Sequence, residues 1–232
     1  MSIYVLGLDL GQAQDYTAAV IIEASGTAQK APFRTQVLGY DVPAVQSYEL
    51  APLSRVEVQY IKRFDLGTRY QEIAGSVAAA LRKMPMPRYL AVDQTGVGRG
   101  VLEMLYGCRP VGITITAGNE VTPGVLQHEW RVPKRDLVST MQVLFQNRQF
   151  GMRRDLPHSE VLDRELRNFR AKISASGHET YEAWREKEHD DLVLACALAC
   201  WLADQTLRLF TTNVREAVEA SYVPSDYQIS PI

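Results

Sequence analysis

The chain has 232 residues, 46% of them hydrophobic and 22% charged, and a formal net charge of −2. That length and balance suit one globular unit with a sizeable core and give no sign of extensive disorder. They also exclude a global basic field, so a grip on any polyanion has to come from local patches.

In chain order, "SIYVLGLDLG" predicts a buried strand that ends in a Gly-flanked turn at Asp9. "TAAVIIEAS" follows after a short turn, so the two strands are expected to form a hairpin. Residues 26–53 are irregular, with one further strand expected near "RTQVLGYDV". "SRVEVQYIKRF" alternates as a strand, and "GTRYQEIAGSVAAALRKM" places Tyr70, Ile73, Val77 and Leu81 on one helical face before "PMPR" stops it. "RYLAVDQTG" reads as a short buried strand entering a Gly-rich turn and helix, "GVGRGVLEMLYG", and "PVGITITAG" as another strand. A loop leads to a helix at "KRDLVSTMQVLFQNRQ", and a second helix starts near Pro157 and Ser159. "RAKISASGHETYEAWRE" suggests a strand, a Ser-Gly turn and a returning strand. The last helix begins near Asp190, and residues 209–232 are expected to form a loosely ordered extension of a unit spanning 1–208. The whole predicts a mixed α/β sheet with an antiparallel opening hairpin flanked by helices.

Cys108, Cys196 and Cys200 have no metal-ligand spacing, and the latter two lie four apart in an apolar stretch, as buried thiols do. An odd count with no secretory signal predicts a reducing, cytoplasmic setting. The apolar run from Leu192 to Leu202 is too short to span a bilayer, so no membrane is expected.

Acidic residues recur at the ends of predicted elements. Asp9 ends the first strand, Asp93 ends the "YLAV" strand, and Asp190 and Asp191 open the last helix beside His189, Glu186 and Glu188. In open α/β sheets, sites gather outside the carboxyl ends of the strands. Clustered carboxylates repel one another, and a hard cation such as Mg²⁺ or Mn²⁺ relieves that. Two such ions about 4 Å apart clamp the attacking and leaving oxygens of phosphoryl transfer. Each acid also has a plainer reading. Asp9 is then a turn former, Asp93 a helix cap, one of Asp190 and Asp191 a cap, and Glu186 and Glu188 solvated charges. Asp15 is either a turn residue or a supporting acid.

"GLDLGQAQDYTAAVII", "VDQTGVGRGVLEML", "VPKRDLV" and "EHDDLVLACALA" occur in the order found in the nuclease domain of phage terminase large subunits, and residues 3 to 207 resemble that domain. The resemblance implies an RNase H-like (RuvC-like) fold and a metal-dependent DNA endonuclease. It implies metal-binding and catalytic roles for Asp9, Asp93 and Asp191, with Asp190 as the competing third ligand, and two Mg²⁺ or Mn²⁺ ions as cofactors. Lys134, in "PKR-x-L", would face DNA phosphate near the metals. Cleavage of double-stranded DNA to 5′-phosphate and 3′-hydroxyl ends is implied as well, with a packaging ATPase, a small terminase subunit and a portal as partners, in the host cytoplasm. No Gly-x-x-x-x-Gly-Lys-Ser/Thr loop exists in the chain, so cleavage is expected of it and translocation is not.

DNA affinity is expected from Arg99, Arg135, Arg153, Arg154 and the "RELRNFRAK" run, with Arg164, Arg167, Arg170 and Lys172. Arg164 and Arg167, three apart, share a helical face suited to phosphates. No base-reading motif is visible, so little sequence preference is expected. Two alternatives stay open: a Holliday-junction resolvase or transposase-like nuclease, for which a dimer and not the expected monomer would speak, and an actin-like ATPase or sugar kinase, which needs phosphate and adenosine motifs that "VDQTGVGRG" matches only loosely. A non-catalytic scaffold is a third class.

Overall fold

The computed structural model describes residues 2–11, 15–26, 28–31, 36–37, 40–41, 47–50, 53–96, 98–126, 128–175 and 190–221. Strands β1 (Ser2–Asp9) and β2 (Ala18–Ser25) form the expected antiparallel hairpin, with Asp9 opposite Ala18. The segment expected to hold one strand instead carries four short ones. β3 (Ala28–Ala31) pairs with β6 (Ser47–Leu50), and β4 (Gln36–Val37) pairs with β5 (Tyr40–Asp41). The nine-residue pattern contains Gly39, and glycine weakens a strand interior.

β7 (Arg55–Arg63) returns antiparallel to β2, with a register shift between Ile21 and Ile22. Helix α1 (Tyr70–Lys83) buries Ile73, Ala74, Val77 and Leu81, the stripe that the 3.6-residue period predicts. β8 (Arg88–Asp93) runs into α2 (Gly98–Met104) and a single 3₁₀ turn. β9 (Val111–Thr116) precedes β10 (Thr122–Pro123) and β11 (Glu129–Pro133), two strands in a segment expected to be a loop. α3 (Lys134–Gln146), β12 (Phe150–Met152), α4 (Ser159–Ala175) and α5 (Asp191–Ser221) complete the series. The strand expected from Arg170 is corrected: residues up to Ala175 belong to α4. Leu162, Leu166 and Phe169 are buried at helical spacing, and Ile173 falls at the next step of that period. The Ser-Gly turn and returning strand expected up to Glu186 fall within residues 176–189, outside the described residues. Helix α5 continues to Ser221, so the extension expected from 209 begins within a helix.

The main sheet, eight-stranded among the described residues, has the order β10-β11-β9-β8-β1-β2-β7-β12. β1, β8, β9 and β11 are mutually parallel, β7 and β12 run with them, and β2 and β10 oppose them. An antiparallel meander β1-β2-β7, extended by parallel strands on the far side of β1, is the RNase H-like arrangement. One sheet face packs Leu6, Leu8, Leu90 and Val92 against α1 and α2. The other packs Val5, Val20, Ile61, Ala91 and Ile113 against α3, α4 and α5.

Helix α5 is the inner helix of that second layer. Ala195, Cys196, Ala199 and Cys200 are fully buried, and such small side chains bring the helix axis close to the sheet. Gly7 makes the approach closer still. A Cβ there would overlap the Ala195 carbonyl oxygen, and would stand 2.9 Å from its carbon and 3.0 Å from the Ala199 nitrogen. Both cysteines are free, fully buried thiols, as expected, and burial pushes the Cys200 thiol well up. No helix among the described residues is long and apolar enough to cross a membrane.

Candidate active site

Six strands point their carboxyl ends toward one rim, and the topology decides which side chains meet there. Leu8 of β1 pairs with Val92 of β8, so Asp9 and Asp93 are the next residues on adjacent parallel strands. Such strands lie about 4.8 Å apart. Alternation then fixes the face. Val5 and Ala91 belong to the core under α5, and Asp9 and Asp93 follow them at even spacing. Asp93 is only 4% exposed, and its Oδ1 accepts the Thr95 N–H at 2.7 Å, which holds the carboxylate in place.

The same Gly7 contact that seats α5 brings its first turn to this end of β1. Asp190 precedes the helix, its carbonyl accepting the Leu194 N–H, and Asp191 is the first helical residue. A side-chain cap on the first turn comes from another helix. Glu165 of α4 provides it, its Oε2 accepting both the Leu192 and Val193 N–H groups at 3.1 Å. Donors that an N-terminal Asp ordinarily serves are thus taken by a side chain from another helix.

Arg63 joins the two helices. It lies at the end of β7 opposite Ala18, which in turn faces Asp9, so its side chain is on the α5 face. Its Nη2 reaches Asp191 Oδ2 at 2.5 Å and Glu165 Oε1 at 3.7 Å, and its guanidinium lies 4.1 Å from the centre of the Tyr16 ring. Burial pushes the Glu165 carboxyl from its ordinary 4.5 up to about 7; Asp191 and Asp190 raise it too, while the Val193 N–H and Arg63 oppose the rise.

That shift has a consequence for stability. Folded Glu165 keeps a proton that the unfolded chain has released, so its stabilising contribution is fully present below about pH 4.5 and is lost as the pH rises through 7. In EDTA, the melting temperature is expected to carry a downward component over that interval, and Glu165→Gln should remove it. Matching slopes for the two proteins would exclude Glu165 as the source.

Arg63 and Glu165 were not among the residues expected from sequence, though both left a trace. Glu165 sits between Leu162 and Phe169 on the buried stripe of α4, and Arg63 continues the inward alternation after Ile61. Lys134 opens α3 directly after β11, whose Pro133 pairs with Thr116, and so stands at the acidic rim, half-buried. Asp15 is exposed in the turn between β1 and β2. Glu186, Glu188 and His189 lie outside the described residues.

The basic candidates are scattered. Arg135 is bound to the side chain and carbonyl of Asn119. Arg153 pairs with Asp155, and Arg167 with Asp163 at 2.8 Å. Arg154 and Arg164 are exposed. Arg99, Arg170 and Lys172 belong to α2 and α4, but their side chains are not among those described. Arg153 and Arg154 follow β12, three strands from β1, or roughly 14 Å at ordinary strand spacing.

The donor set at the rim is all carboxylate oxygen, the chemistry that hard divalent ions prefer. Among the described residues, no three His, Cys, Asp or Glu side chains stand close enough to hold one ion together. The Asp191 carboxylate is bound by Arg63.

No protein-family model and no curated protein matches the chain. Among solved structures, it is similar to the large terminase nuclease of thermophilic phage G20c, with 16% identity over 85% of this chain and 81% of that one and a TM-score of 0.47. It is similar to the human cytomegalovirus terminase nuclease domain as well, with 12% identity over 89% and 86% and the same TM-score. A manganese-soaked form of that domain gives 15% identity, 88% and 85% coverage and a TM-score of 0.44. All three are terminase nuclease domains. The strand order and the meeting of Asp9 with Asp93 stand on this chain's own strand pairing.

Proposed function

We propose that the chain is a metal-dependent DNA endonuclease of the kind that serves viral genome-packaging terminases, with residues 1–208 as its nuclease unit. The observation that supports this reading is the pairing that makes Asp9 and Asp93 neighbours at the ends of parallel strands; Asp191, which opens α5 and is bound by Arg63 at the end of β7, is the proposed third acid. Asp9, Asp93 and Asp191 would hold two Mg²⁺ or Mn²⁺ ions, with Asp190 as neighbour. When bound, such ions supply an activated water and neutralise the leaving 3′ oxygen.

The chain's own residues do the positioning. Thr95 fixes Asp93, Glu165 anchors the turn that carries Asp191, and Arg63 pairs with the Asp191 carboxylate before any ion is bound. Lys134 sets a positive charge on the rim for a phosphate of duplex DNA. Arg99, Arg135, Arg153, Arg154, Arg164, Arg167, Arg170 and Lys172 are the further phosphate contacts proposed. Three of them already have protein partners, and the net charge is −2, so isolated binding should be weak and strongly salt-dependent. A packaging ATPase, a small terminase subunit and a portal are the partners that would bring the monomer to its substrate.

The deciding experiment is plasmid cleavage with Mn²⁺, Mg²⁺ or EDTA. Nicked and linear products are expected with either metal, none in EDTA, and none from Asp93→Ala. Cleavage that survives EDTA, or survives in Asp93→Ala, would sink the reading.

A further inference from the structure

Arg63 stands between two carboxylates that it does not serve equally. Its Nη2 is 2.5 Å from Asp191 Oδ2 but 3.7 Å from Glu165 Oε1. Glu165 Oε1 is buried and has no hydrogen-bond partner among the described residues, and the same is true of Arg63 Nε. The Glu165 side chain is only 6% exposed and that of Arg63 15%, so water does little for either. Buried polar atoms left in this condition are costly and rare. Here the remedy is a small shift of one guanidinium, whose rigid fork of five donors is built to meet carboxylates.

The other end of Glu165 is fixed. Its Oε2 holds the Leu192 and Val193 amides, so the waiting oxygen cannot swing away without uncapping α5. Arg63 rests over the Tyr16 ring, a flat π face that attracts a cation without dictating its direction in the plane. One partner is therefore anchored and the other is free to slide. A divalent cation arriving at Asp9 and Asp93 would meet a third carboxylate with Oδ2 already taken and a positive charge beside it. If Arg63 departs, both obstacles go.

We propose that Arg63 is a positioning residue that exchanges partners: it holds Asp191 while no cation is bound, and moves to Glu165 Oε1 as Asp191 turns to a cation at the Asp9–Asp93 rim. The proposal rests on the reading of Asp191 as a cation ligand, and its test keeps the two apart.

The test is Mn²⁺ titration of the full chain by calorimetry, without DNA, on wild type, Glu165→Gln, Arg63→Gln and Asp93→Ala, with thermal melts to establish folding. Glu165→Gln keeps an oxygen for the α5 amides but offers Arg63 no second carboxylate, so its Mn²⁺ affinity should fall about tenfold or more. Arg63→Gln has nothing to displace and should bind Mn²⁺ at least as tightly as wild type, with a larger Mn²⁺-induced rise in melting temperature. A purely structural pair would lose affinity in both variants, and that result overturns the exchange. Equal affinity in wild type and both variants overturns it as well and leaves the nuclease reading standing. If wild type binds no Mn²⁺, or binds it no better than Asp93→Ala does, the nuclease reading fails and the exchange fails with it. Should Arg63→Gln not fold, Arg63→Lys replaces it: the charge stays, the fork is lost, and binding weaker than wild type overturns the proposal.

Discussion

Gly7→Ala is expected to lower the melting temperature by roughly 6–12 °C, the equivalent of about 3 kcal/mol for a chain of this size. The added Cβ meets the Ala195 carbonyl and the Ala199 nitrogen, which are main-chain atoms of a helix and not the end of a pliable side chain. No rotamer change relieves the overlap; α5 has to move off the sheet along with the Ala and Cys row packed beneath it. Gly75→Ala is the control. An added Cβ there meets nothing within 4 Å, and in the interior of α1 alanine should stabilise by about 0.5–1 kcal/mol. A Gly7→Ala protein that melts within about 2 °C of wild type would show that α5 does not need the contact.

The second large effect concerns the acids one at a time. Asp9→Asn and Asp191→Asn should each reduce plasmid cleavage by on the order of 10²–10³-fold, the usual cost of removing one preorganised charge from a reacting centre. Asp190→Asn should cost much less. Its carbonyl, which accepts the Leu194 N–H, is untouched by the change, whereas Asp191 is the carboxylate clasped by Arg63. The amide keeps the size of the side chain, so melting curves of Asp9→Asn and Asp190→Asn should stay near wild type; Asp191→Asn also breaks the pair with Arg63, so its cleavage is compared at a temperature well below its own melting. A greater loss in Asp190→Asn than in Asp191→Asn would reassign the third acid.

Much of the scaffold was legible because its signals are local. Apolar runs ending in an acid, "YVLGLD" and "YLAVD", predicted two inner strands, and their parallel adjacency then put Asp9 and Asp93 together. The helical stripes of α1 and α3 were readable for the same reason. β12 was not, because three residues are too few to show a period, and β11 was hidden in a segment with no clean alternation. The tail of α4 was misread because "RAKISASG" ends in turn-forming residues, while the stripe that extends the helix comes from residues before it. At the site, the capping by Glu165 and the clasp by Arg63 depend on α4 docking against α5 and β7. No spacing within one element encodes that meeting. Acids at a helix mouth invite a capping explanation, and only the structure reveals that Glu165 already takes those donors.

The contact between Gly7 and Ala195 also sets a timetable. Roughly 180 residues separate Asp9 from Asp191. At about 5–20 residues per second, the ribosome releases the second some ten to forty seconds after the first. During that interval the nascent sheet displays one acid and then two, with the groove over Gly7 still waiting for its helix. Asp191 opens the helix that fills the core, so on the proposed reading the set of acids is completed only as that helix docks over Gly7.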